Sequence, residues 1–128
     1  MHRVTLILTF LLSLMFSSPS YSEWTLVGEN VLGTIIYVDF ETIRIVDGYV
    51  YYWKLQDFLK PTKYGRLSTK TYMQGDCKLF RRKSLSYSQH NSPMGGGTGD
   101  SGSPENPKWD YPPPNSSIEN ILKTVCSR

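Results

Sequence analysis

The sequence predicts an α+β domain: an antiparallel β-sheet of about five or six strands, with a C-terminal α-helix docked on one face and tethered by a disulfide. Three observations carry this. Short β-branched and aromatic runs follow one another from residue 24 to 88, broken by turn residues and without intervening helical periods. The last residues carry a capped apolar stripe of helical period. Cys77 and Cys126 are the only two cysteines. The chain has 128 residues, room for one domain, which excludes two-lobed enzymes.

Residues 1–22 are expected to be a signal peptide. His2 and Arg3 give a positive start. Val4 to Phe16 is apolar except for Thr5, Thr9 and Ser13, and Ser20 and Ser22 are small residues suited to a peptidase site. The run is too short for a membrane span, which takes about 20 residues, so no transmembrane span is expected. The mature domain is then 23–128, exported to the periplasm, the cell surface or the medium. With no cysteine near the cleavage site, it is not expected to be lipid-anchored. Losing Arg3 leaves 13 basic against 11 acidic residues, a net charge of +2. That charge is too small and too scattered to suggest a nucleic-acid partner.

Val31–Asp39 and Thr42–Val46 read as strands. Asp47-Gly48 then supplies a hairpin turn into Tyr49–Leu55. Alternation places Tyr49, Tyr51, Trp53 and Leu55 on one face of that strand and Val50, Tyr52 and Lys54 on the other. Lys60–Gly65 is a loop. Arg66–Met73 and Asp76–Tyr87 are two further strands, with Cys77 and Leu79 of the second pointing the same way. Residues 90–108 hold five of the ten glycines and read as a flexible Gly/Ser/Pro-rich insert. After Pro112-Pro113-Pro114, Ser116 and Glu119 form a capping box. Ile118, Ile121, Leu122 and Val125 make one apolar helical stripe with Cys126 beside it.

In an oxidising compartment the two cysteines are most simply one disulfide. Two free thiols or a metal pair are the alternatives, although two sulfurs leave a zinc site two ligands short. Bonding would pin the helix to the sheet.

No cofactor, metal site or catalytic residue is expected. Gly99-Asp100-Ser101-Gly102-Ser103-Pro104 looks like a serine-protease nucleophile segment. The chain is too short for that fold, however, and His90 lies in the same glycine-rich stretch. The glycines at 95–99 lack the following lysine of a P-loop. Lys78, Arg81, Arg82 and Lys83 form the densest basic cluster, suited to an acidic ligand or simply to a solvated strand edge. Tyr49, Tyr51 and Tyr52 place aromatics on both faces of one strand, so one face is a candidate contact surface. Two classes of function fit: a cell-envelope binding or adhesion module, or a periplasmic enzyme, enzyme inhibitor or envelope-stress protein with no adhesive role.

Trp24, Tyr37-Val38-Asp39, Thr42-Ile43, Trp53-Lys54-Leu55, Asp57-Phe58, Ser68, Tyr72, Asp76-Cys77, Arg81, Trp109, Ser116 and Val125-Cys126 occur in an order that resembles the surface-adhesin protein E family of small exported bacterial proteins. The resemblance runs over nearly the whole mature chain. It implies an antiparallel sheet with a disulfide-tethered C-terminal helix and a non-enzymatic binding role. The expected partners are protein or acidic glycan ligands of the envelope or a host matrix, and an oligomer is compatible with it. The founding adhesin is lipid-anchored, unlike the expectation for this chain, and no ligand-binding residue transfers.

Overall fold

The computed structural model describes residues 23–128; the expected signal peptide, 1–22, lies outside the described residues. One six-stranded antiparallel meander forms the sheet: β1 (Trp24–Glu29), β2 (Ile35–Val46), β3 (Tyr49–Asp57), β4 (Ser68–Asp76), β5 (Arg81–His90) and β6 (Gly99–Gly102). Helix α1 (Ser117–Cys126) follows. Sheet, helix and the expected tether agree with the sequence reading.

Several boundaries differ: β2 starts at Ile35 rather than Val31, β3 runs on to Asp57, and β4 spans Ser68–Asp76 rather than Arg66–Met73. The runs expected as separate strands before Asp47 form one long β2. Asp39 does not end the strand. Its Oδ1 accepts the Glu41 N–H at 3.1 Å, and the register against β3 breaks between Asp39 and Arg44. A bulge therefore stands where a turn was expected. Asp47-Gly48 does make the hairpin, both residues having positive φ. Further on, Asp76 closes β4 and Cys77 to Phe80 is a turn, so Cys77 and Leu79 are not strand residues sharing a face. The Asp76 carboxylate holds that turn through the N–H groups of Lys78 and Leu79 and through Arg81 Nε at 2.9 Å.

The stretch 90–108, expected as a flexible insert, carries short regular elements. β5 runs to His90, a 3₁₀ turn covers Pro93–Gly95, and β6 pairs with β5 from Gly99↔His90 to Gly102↔Tyr87. Glycine at 99 is required there, because a Cβ would lie 1.3 Å from the Gln89 carbonyl oxygen. Arg66 holds the segment from across the chain, bonding Asn91 at 2.6 Å and the Asp100 carboxylate.

The core lies between the sheet and α1. Ile36, Val38, Val50, Tyr52 and Met73 meet Ile121, Leu122 and Val125 of the predicted stripe. Gly75 permits this approach, since a Cβ there would sit 2.8 Å from Val50 and 2.9 Å from Leu122. Ser116 caps α1 by accepting the Glu119 N–H at 3.1 Å, and Glu119 Oε1 accepts the Asn115 N–H at 3.4 Å. The Cys77–Cys126 disulfide, with Cα atoms 5.7 Å apart, ties the end of α1 to the β4–β5 turn.

Candidate binding surface

Because α1 covers one face, strand alternation decides what the other presents. On β3, Val50 and Tyr52 point toward the helix. Tyr49, Tyr51 and Trp53 point to the helix-free side. Cross-strand register adds Tyr72 opposite Trp53, with ring centroids 4.8 Å apart, and Tyr51 stacks on Tyr72 at 6.2 Å. The result is a row of partly exposed rings. Shallow depressions flank it, one of about 150 Å³ lined by Trp24, Trp53, Lys70 and Ser88, another of about 270 Å³ lined by Arg44, Val46, Tyr51 and Tyr72.

The row continues onto a segment the sequence did not mark as a site. Arg82 and Asp110 exchange both backbone hydrogen bonds, at 2.9 and 2.8 Å, so residues around 110 lie along β5 as a one-bridge strand. Alternation about Asp110 sends Trp109 to the helix-free side. Its ring stacks on Tyr49 at 5.9 Å. The Arg81 guanidinium stands 4.3 Å from the Trp109 centroid and Lys83 Nζ 4.5 Å. Cations over an indole face are attracted by its quadrupole.

The basic cluster is therefore divided. Arg81 and Lys83 reach the open face. Arg82 turns to the helix side, where its Nη2 bonds Asp110 at 3.3 Å. Lys78 is exposed in the β4–β5 turn, away from the strand. Arg81 is also committed to Asp76, whose carboxyl is pushed up by burial but held below the usual carboxylate range by the Leu79 N–H, Arg81 and the Lys78 N–H. Of the three tyrosines, Tyr49 and Tyr51 belong to the open face. Tyr52 is only 1% exposed, so it is core and no contact residue. Burial pushes its phenol up to about 12.

Two groups the sequence reading passed over complete the picture. Lys54 shares the helix side with Tyr52. It keeps some solvent contact but is densely surrounded, and burial, then the Arg82 charge, lower its pKa to about 7, partly offset by Asp110. Trp109 entered the sequence reading only as one residue of the family-like order, not as a site residue. In the segment with the serine-protease likeness, Ser101 is exposed on β6 opposite Ser88, and His90 Nε2 lies 2.8 Å from Ser88 Oγ. Among the described residues no group of three or more His, Cys, Asp or Glu is placed to hold a metal.

Comparison with known proteins gives a consistent answer. The family model for surface-adhesin protein E matches residues 24–127. Crystal form II of Haemophilus influenzae protein E superposes with a TM-score of 0.63 at 15% identity, covering 85% of this chain and 91% of that one. Protein E from non-typeable Haemophilus influenzae superposes with a TM-score of 0.59 at 14% identity, covering 86% and 79%. These likenesses bear on the fold. No curated protein sequence matches significantly.

Proposed function

Since the chain belongs to the surface-adhesin protein E family, we propose that it works as a non-enzymatic adhesion module of the cell envelope and that its helix-free face makes the contact. The observation that carries the proposal is the Trp109 ring, stacked on Tyr49 and topped by Arg81 and Lys83. Flat rings on a rigid sheet offer apolar area at little entropic cost, and paired cations beside them suit carboxylate or sulfate groups. An acidic glycan lying across the sheet satisfies both. The flanking depressions are open and shallow, which fits an extended chain better than an enclosed small molecule.

The fold suits this use. Around Tyr49–Trp53 the face is left open because α1, pinned by Cys77–Cys126, occupies the other one; beyond Trp53 the segment around Pro93–Gly95 covers it, bonding Asp57 and Ser68, and Leu55 is buried there. Among the described residues no helix is long and apolar enough to cross a membrane, and the family is one of exported surface proteins. Placement at the outer surface rather than in the periplasm is part of the proposal.

A glycan-binding assay tests it. Acidic, sulfated and neutral oligosaccharides are presented to the purified protein at low and physiological salt. Acidic glycans should be retained and lose affinity as salt rises, while neutral glycans should not. Equal retention of neutral and acidic glycans, or retention only of acidic proteins, defeats the acidic-glycan reading.

A further inference from the structure

One end of the sheet differs in character from the ligand face. Three connections gather there: 30–34 between β1 and β2, 58–67 between β3 and β4, and 91–98 between β5 and β6. They are in contact. Leu32, Phe58 and Leu59 line a common depression, a Cβ on Gly33 would lie 3.0 Å from Leu59, and Arg66 bonds Asn91.

At this end Val31 is 102% exposed, Leu32 78%, Leu59 71% and Tyr64 77%. Single exposed apolar residues are ordinary, but a cluster of them marks an interaction site. Nor is the first loop loosely held. Asn30 Oδ1 accepts the N–H groups of Leu32 at 2.9 Å and Thr34 at 3.1 Å, and Gly33 N–H returns to Asn30 O at 3.0 Å. The turn is locked with Val31 and Leu32 projecting outward. Charge completes the pattern. None of the three connections contains Asp or Glu, while Lys60 and Lys63 flank the apolar tips.

We propose that this end of the sheet is a membrane-docking tip, in which Val31, Leu32 and Leu59 enter the outer part of an anionic bilayer and Lys60 and Lys63 meet its headgroups. Apolar tips ringed by lysine combine burial of hydrocarbon with attraction to anionic lipid. The geometry favours a lipid surface over an acidic protein, because the apolar side chains project singly from loop tips, Val31 fully exposed, with lysines beside them, rather than forming a flat patch. The tip lies opposite the disulfide end, so the helix-free face stays open to its own ligand. This docking does not depend on that ligand.

The test is co-sedimentation of the exported protein with vesicles of phosphatidylglycerol and phosphatidylethanolamine, against phosphatidylcholine alone. The protein should partition to the anionic vesicles. Leu32→Ser with Leu59→Ser should weaken partition by about tenfold, and Lys60→Glu with Lys63→Glu should weaken it by several-fold. The replaced side chains are exposed, so melting temperatures should hold and the loss cannot be put down to unfolding. A Leu32→Trp variant should shift its emission to the blue when vesicles are added. No partition at low salt, unchanged partition of the serine variant, or full competition by soluble glycerol phosphate would each overturn insertion. Loss of vesicle binding through Lys83→Glu alone would assign the binding to the helix-free face instead.

Discussion

Trp109 stacks on Tyr49 with ring centroids 5.9 Å apart, joining the proline-rich segment before the helix to the first residue of β3. The same indole lies under both Arg81 and Lys83. Trp109→Ala should therefore remove a contact surface and a strut together. The stack itself is worth about 0.5–1.5 kcal/mol beyond burial, so the variant should stay folded. Its affinity for acidic glycans, measured by titration on immobilised ligand, should fall much further than its stability. A variant with undiminished affinity would show that the ring is only structural.

Cys126→Ala should lower unfolding free energy by about 2–5 kcal/mol, the range typical of native disulfides in small domains. The bond closes a separation of 49 residues and holds the end of a helix only 10 residues long. Helices of that length are marginal without a surface to dock on. Urea denaturation followed by far-ultraviolet circular dichroism is the check, and a change near zero would mean that core packing alone seats α1.

Lys54 predicts a pH profile. Its folded pKa is about 7 against 10.5 for the free side chain. Below about 7 it is protonated in both states and the full cost of its burial is present. As pH rises from about 7 to 10.5, the folded state gives up its proton first and that cost is relieved, so stability increases. Tyr52 acts in the opposite direction: its folded pKa is near 12 against 10.0, so its contribution is present below about 10 and is lost as pH rises above that. Melting temperature should climb from about pH 6 to pH 9 and fall beyond about pH 10. Because Lys54 keeps some solvent contact, the climb should be smaller than the full shift would give. Lys54→Met should stabilise the protein at pH 6 and flatten the climb; an unchanged profile would contradict this.

Arg66 predicts a local effect. It bonds Asn91 and Asp100, which carries the start of β6. Asp100 is 78% exposed, so the ion pair adds little to global stability. Arg66→Ala should change the melting temperature only slightly, yet raise amide exchange in residues 91–102. Deleting that stretch should do more, because β6 covers the edge of β5, and an uncovered edge invites association. Amide exchange by mass spectrometry and light scattering distinguish the two outcomes; unchanged exchange in Arg66→Ala would show that strand pairing alone orders the segment.

The fold was largely legible because its signals are local. The hairpin at Asp47-Gly48, the alternation of β3, the capping box at Ser116 and the stripe through Val125 each lie within one window of sequence. What escaped depended on distant partners. The order of residues 91–102 comes from Arg66 and from pairing with β5, which glycine content does not reveal. The bulge at Asp39 is defined by pairing with β3, where the register breaks between Asp39 and Arg44. The site was half legible for the same reason. Density along the chain drew attention to Lys78, Arg81, Arg82 and Lys83, but a strand sends neighbours to opposite faces, so Arg82 leaves the group. Trp109 enters it only through the bridge at Asp110, a pairing with no local signature.

Binding of an acidic glycan to the helix-free face through the cations at Trp109 is the proposed role of this protein. Arg81 is a poor residue with which to test it, because it also holds Asp76 and the turn beside the disulfide. Lys83 has no ion-pair partner among the salt bridges of the described residues, and its Nζ stands 4.5 Å from the Trp109 ring. The decisive measurement is the affinity of Lys83→Glu for a sulfated glycan at low salt, beside Lys123→Glu on the exposed side of α1. Lys83→Glu should lose about tenfold or more, for reversing a charge beside the ligand, with Lys123→Glu close to wild type. Equal affinity for Lys83→Glu and wild type would contradict this role.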